Sequence, residues 1–109
     1  MGIFRMYTSS AGKSVMEELS QDDPILETLK TCTGCSVQIN EPSEFSELHP
    51  APRRRWMTMI QGQIDIQLAD GTTYSFGPED LRLWEDVTGE GHRTRFPVPS
   101  VSISMPLPE

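Results

Sequence analysis

At 109 residues and 12.3 kDa, the chain has room for one small hydrophobic core and none for a second, cofactor-binding domain. Sixteen acidic residues against nine basic ones give a formal charge of −7 and a pI near 4.7, which argues against nucleic acid or an anionic membrane as the main partner. With 36% hydrophobic and 23% charged residues the chain is not disordered in composition, and no window approaches the roughly 20 apolar residues of a spanning helix.

The opening Met1-Gly2-Ile3-Phe4-Arg5-Met6 lacks the charged and long apolar regions of a secretory signal, so a cytoplasmic location is expected. Met6, where a myristoylation signal carries Ser or Thr, makes Gly2 a poor acceptor. Asp23-Pro24 reads as an N-cap followed by proline at the first helical position, and Leu26, Leu29 and Lys30 complete a short helix or turn. Cys32 and Cys35 are too few for a disulfide framework, and neither the four ligands of a zinc site nor the βαβ context of a dithiol enzyme is visible. They read as incidental reduced thiols at a strand start.

Ser36 to Asn40 reads as a strand and Ser43 to Leu48 as a loop; a Pro-rich stretch, His49 to Pro52, then leads into a strand over Arg53–Ile60. Ile64, Ile66 and Leu68 alternate with Gln63, Asp65 and Gln67. Asp70-Gly71 then supplies the dipeptide of a two-residue type I′ turn, and Tyr74 and Phe76 continue the alternation, which predicts a hairpin. Leu81 and Leu83 alternate with Arg82, and Val101, Ile103 and Met105 alternate with serines 100, 102 and 104, predicting two half-buried strands. Prolines 97, 99, 106 and 108 are expected to place the last strand at a sheet edge or beside a loop. Short strands separated by turn signals predict an all-β sandwich or barrel.

The minority charges are clustered. Residues 49–109 carry six bases, and five of them are Arg53, Arg54, Arg55, Arg93 and Arg95. The chain has two histidines, His49 ahead of the first cluster and His92 ahead of the second, after the loop Gly89-Glu90-Gly91. Each stands at the start of a strand beside arginine. Histidine is the usual acid or base near neutral pH and the commonest metal ligand, so two of them meeting in one fold would make a site; a single histidine at a strand end is more often structural.

At these residues the chain resembles the cupin superfamily, whose first motif is G-x5-H-x-H-x3,4-E-x6-G; the segment His49 to Gly62 keeps its spacing. His49 falls on the first His and Gly62 on the closing Gly, with Ala51 at the second His position and Arg55 at the Glu position. The second motif is matched loosely, by Gly71, by Phe76-Gly77-Pro78-Glu79-Asp80 and by His92, with Phe96 at its Asn position. The segments His49–Arg54, Phe76–Asp80 and Glu85–Arg95 also resemble a subgroup of small cupins with "HPAPRR", "FGPGD" and "EDTTGKGHRTR" segments, and Tyr7 to Ser14 resembles that subgroup's opening.

The resemblance implies one all-β domain over residues 1–109: a small antiparallel β-barrel of jelly-roll type at about 36–106, with the segment 1–35 packed on it and a homodimer formed through a barrel edge. A cupin metal site supplies three His and one Glu, and this chain keeps two of the four. Arg55 has no lone pair to offer and would repel a divalent ion, so no cofactor is expected; the alternative is a divalent metal held by His49 and His92 with a carboxylate such as Glu85. Alternation along the strand places His49, Ala51, Arg55, Met57 and Met59 on one face, the interior of such a barrel.

The expected chemistry is metal-independent acid/base catalysis on a small anionic or enolisable substrate: an isomerisation, cyclisation, dehydration or decarboxylation. His49 and His92 would move protons and Arg55 would stabilise the oxyanion. Arg53 is expected nearer the mouth, with Met57, Met59, Trp84 and Phe96 as apolar lining and Arg54, Arg93 and Arg95 facing solvent. For Arg55 the alternative is an internal pairing with Glu85 or Asp86; for the chain the alternatives are a noncatalytic ligand-binding module that uses the same cavity and a two-His metal enzyme of the oxygenase type.

Overall fold

A computed structural model describes residues 2–108. Period-2 alternation becomes nine strands among the described residues: β1 (Ile3–Thr8), β2 (Ser14–Glu18), β3 (Ser36–Asn40), β4 (Arg55–Gln61), β5 (Ile64–Gln67), β6 (Thr73–Phe76), β7 (Leu81–Glu85), β8 (Arg93–Arg95) and β9 (Ser100–Pro106). They form a six-stranded sheet in the order β2-β1-β7-β4-β9-β3 and a three-stranded sheet in the order β6-β5-β8. The fold is all-β with one short 3-10 helix.

The two sheets face each other across a core of Met6, Met57, Met59 and Trp84 from the larger and Ile64, Ile66 and Phe76 from the smaller. Phe76 makes edge contacts with Phe4 and Trp84 at ring separations of 5.0 and 5.7 Å. A second core lies on the back of the larger sheet. There Ile3, Trp56, Leu83 and Leu107 are covered by Ile25, Leu26 and Leu29 of the helix Pro24–Thr31. Asp23 caps that helix by accepting from the Ile25 amide at 2.9 Å, as the Asp-Pro signal predicts. Trp56 fixes it to the sheet by donating from Nε1 to Thr28 Oγ1 at 2.9 Å.

Several expectations change. The segment 1–35 does not only pack on the sheets: β1 lies within the larger one, between β2 and β7, and its pairing with β7 is parallel, so the strands are not all antiparallel. The hairpin between β5 and β6 is not closed by a two-residue type I′ turn. Gly71 N–H donates to the Leu68 carbonyl and Leu68 N–H to the Thr72 carbonyl, and Gly71 alone takes a positive φ, +92°. That is a three-residue connection with glycine at the left-handed position, because a type I′ turn would require Asp70 in that region as well.

β9 is not an edge strand either; it runs between β4 and β3, with its prolines gathered at or beyond its ends, where few ladder N–H groups are needed. Its alternation is also inverted. Ser100, Ser102 and Ser104 are the buried residues, while Val101, Ile103 and Met105 are half-buried on the other face. In β7 the same inversion buries Arg82 completely. Leu83 faces the helix and Arg82 and Trp84 face the opposite sheet, so both faces of this strand are covered. No helix among the described residues is long and apolar enough to cross a membrane.

Candidate functional site

The space between the sheets opens into a cavity of about 380 Å³. Met57, Ile64, Trp84 and Phe96 supply apolar wall, Gln38 and Asn40 of β3 a polar side, and His49, Arg55 and His92 the chemistry. Strand alternation places Arg55 and Met57 on the inward face, while Trp56 between them turns to the back core. Both histidines predicted from sequence are brought together. His49 and His92 form an antiparallel bridge through two backbone hydrogen bonds of 3.0 and 2.9 Å, and their rings lie 5.0 Å apart.

Gly91 makes that approach possible. Its φ is +77°, and a β-carbon there would collide with the backbone of His49 and Pro50. The two rings have different surroundings. His49 is exposed, and its Nδ1 meets the carbonyl of its neighbour Pro50, at 3.2 Å. His92 is 3% exposed, and its Nδ1 stands 2.6 Å from Oδ2 of Asp86, a carboxylate with no exposure. An ionised carboxylate only accepts, so the proton of neutral His92 sits on Nδ1 and the lone pair on Nε2. Ser14 Oγ donates to the same carboxylate oxygen at 2.6 Å.

Arg55 lines the cavity without a carboxylate hydrogen-bonded to it, and its Nε has no partner among the described residues. Burial pushes its guanidinium below the ordinary arginine range, partly offset by the charge of Asp86. Of the two internal partners foreseen for it, Asp86 acts only through its field, and Glu85 is taken by Arg5 and Arg54.

Two predicted lining residues lie elsewhere. Arg53 does not reach the mouth of this cavity; its Nη2 donates to the Leu107 carbonyl at 2.9 Å, in a separate hollow with Val87 and Pro108. Met59 is buried deeper, behind the lining, with its sulfur 3.5 Å from Nη2 of Arg82. Arg54 and Arg95 lie outside the cavity but are paired, Arg54 with Glu85 and Arg95 with Asp65.

No motif in the sequence marks Ser14, Asn40 or Arg82 as site residues. Asp86 is expected from the sequence only as a partner for Arg55. The available signal was Asp86 six residues ahead of His92 across a glycine loop, a spacing that lets two strand ends converge. The metal implied by the resemblance does not fit the donor set: among the described residues no three His, Cys, Asp or Glu side chains gather as ligands. Ala51 and Arg55 line the cavity without offering a ligand atom, and His92 Nδ1 is committed to Asp86. No protein-family model matches the chain, and no curated protein matches it.

Proposed function

We propose that the chain is a small cupin-like β-barrel enzyme that transfers protons on an anionic or enolisable, partly apolar small molecule without a metal. The reading is carried by one observation: the buried Asp86–His92 pair at a cavity that also holds the uncommitted Arg55. Asp86 fixes the tautomer of His92, which presents Nε2 as the base; the base takes a proton next to the substrate's carbonyl, and Arg55 stabilises the enolate oxygen that results. His49, exposed beside it, returns the proton from the mouth side. The barrel form is supported by the two facing sheets and by the motif spacing from His49 to Gly62. Pairing of two copies through edge strand β3 belongs to the same reading and is supported by Val37 and Ile39, which are 61% and 77% exposed on that strand.

The test is solvent exchange. Protein in deuterium oxide is incubated with a panel of ring-bearing β-keto carboxylates, and deuterium uptake and decarboxylation are followed by NMR. Wild type should accelerate one or both on at least one member, and His92→Ala should return the rate to that of buffer. Buffer rates throughout the panel with wild type, or equal acceleration by His92→Ala, would overturn the assignment.

A further inference from the structure

Arg82 is a charge with no assigned role. It is 0% exposed, its Nη2 reaches only the sulfur of Met59 at 3.5 Å, and Nε and Nη1 have no partner among the described residues. Its guanidinium carbon lies 5.2 Å from the ring centre of Trp84 and 6.0 Å from that of Phe76. Trp84 lines the cavity and Arg82 lies behind that lining. The register of β4 and β7, Arg55 opposite Trp84 and Met57 opposite Arg82, sets the two guanidinium groups on the same inward face, one diagonal step apart.

The two carboxylates whose fields act on these cations, Asp86 on Arg55 and Asp80 on Arg82, hold hydrogen bonds to other groups. Asp80, which acts on Arg82 through its field, accepts from the amides of Gly77 and Gly2 at 3.0 and 3.1 Å. Asp86 accepts from His92 and Ser14. The inward strand face around the cavity therefore carries the half-buried Arg55 and the fully buried Arg82 against the buried Asp86, while Glu44, the one carboxylate in the cavity lining among the described residues, is exposed where solvent screens its charge. Burial, reinforced by repulsion from Arg55, pushes Arg82 down to about 9, which leaves it a cation at neutral pH. An unpaired buried cation opposes folding. In a low-dielectric interior, however, it projects a field that water would otherwise screen.

We propose that the cavity selects a ring-bearing monoanion of the aryl-carboxylate class, its ring against Trp84 and its charge held by Arg55 in contact and by Arg82 from behind the Trp84 ring. Arg82 is a specificity-determining residue that acts through the potential of the cavity. The inference deepens the proposed function by naming its substrate class, and it rests on that reading for the place of the site while its test reads binding alone.

Calorimetric titration with naphthoate and its neutral counterpart naphthamide compares wild type, Arg55→Met, Arg82→Met and Arg82→Lys. Wild type should prefer the carboxylate by about tenfold or more, a preference that Arg55→Met abolishes. Arg82→Met should lower naphthoate affinity by about threefold or more with little change for naphthamide, its denaturation midpoint unchanged or raised, and Arg82→Lys should restore much of the preference. A packing defect would weaken both ligands together. Equal binding of the two ligands by wild type, no measurable binding of either, or an unchanged preference in Arg82→Met would overturn the inference. Preferential naphthoate binding by a protein that fails the exchange test would leave it standing while removing the catalytic reading.

Discussion

Asp86 Oδ2 and His92 Nδ1 meet at 2.6 Å with both side chains withdrawn from solvent, and this contact sets which nitrogen of the imidazole is free. Because Asp86 closes β7's inward face and His92 opens the approach to β8, the pair ties the larger sheet to the smaller one at the cavity wall.

Asp86→Asn keeps the shape of the side chain and removes the obligate acceptor. An asparagine amide can donate to Nδ1 and favour the opposite tautomer, so exchange activity should fall by about a hundredfold to ten-thousandfold. Nitrogen-15 spectra of the His92 ring check the cause directly: protonation on Nδ1 in wild type, on Nε2 in the variant.

Gly91→Ala should both destabilise the protein and disable the site. A β-carbon at φ +77° is strained, for about 1–3 kcal/mol, and it would also displace the backbone of His49. Urea denaturation should register the loss, and the exchange rate should fall with it, because the two histidines no longer bridge.

Trp56 and Trp84 are both buried but belong to different faces of the larger sheet. Trp56→Phe removes the hydrogen bond to Thr28 and should cost about 1–3 kcal/mol of stability with ligand binding unchanged. Trp84→Phe takes indole surface from the cavity wall and from the Arg82 contact, so it should alter ligand affinity. Denaturation and titration of the two variants side by side separate the roles.

Asp65 provides a pH signature away from the cavity. Burial alone would raise its carboxyl, but donations from Gln63 and Ser75 to Oδ1 and from Nε and Nη2 of Arg95, both to Oδ2, overcome this and hold it below the ordinary aspartate range. A depressed carboxylate contributes stability that is present above its unfolded pKa and is lost as pH falls through the folded one. Asp65→Asn should therefore be less stable than wild type at neutral pH, by about 1–3 kcal/mol, with the gap closing below about pH 4 in acid titrations followed by circular dichroism.

The sequence made the strands from Ile64 to Phe76 legible for local reasons, period-2 alternation and the turn residues Asp70-Gly71, whereas the meeting of His49 and His92, 43 positions apart, had no local signal of its own. It could not tell which face of β7 and β9 points inward, because both faces of these strands are covered to some degree. Period 2 then fixes parity without fixing direction, and the small residues Ser102 and Ser104 fit the side where Met57 and Met59 fill the space. β1 was illegible for a different reason: Ile3-Phe4-Arg5-Met6-Tyr7 lacks clean alternation, and its parallel partner β7 lies some eighty positions away.

In the proposed mechanism His92, oriented by Asp86, moves a proton without help from a metal. The most direct measurement is the deuterium-exchange rate of a responsive β-keto carboxylate with protein dialysed against a strong chelator, for wild type and His92→Ala. Wild type should keep its full rate after chelation, and His92→Ala should fall to the rate of buffer. Loss of the wild-type rate on chelation with recovery on adding a divalent metal, or survival of the rate in His92→Ala, would contradict it.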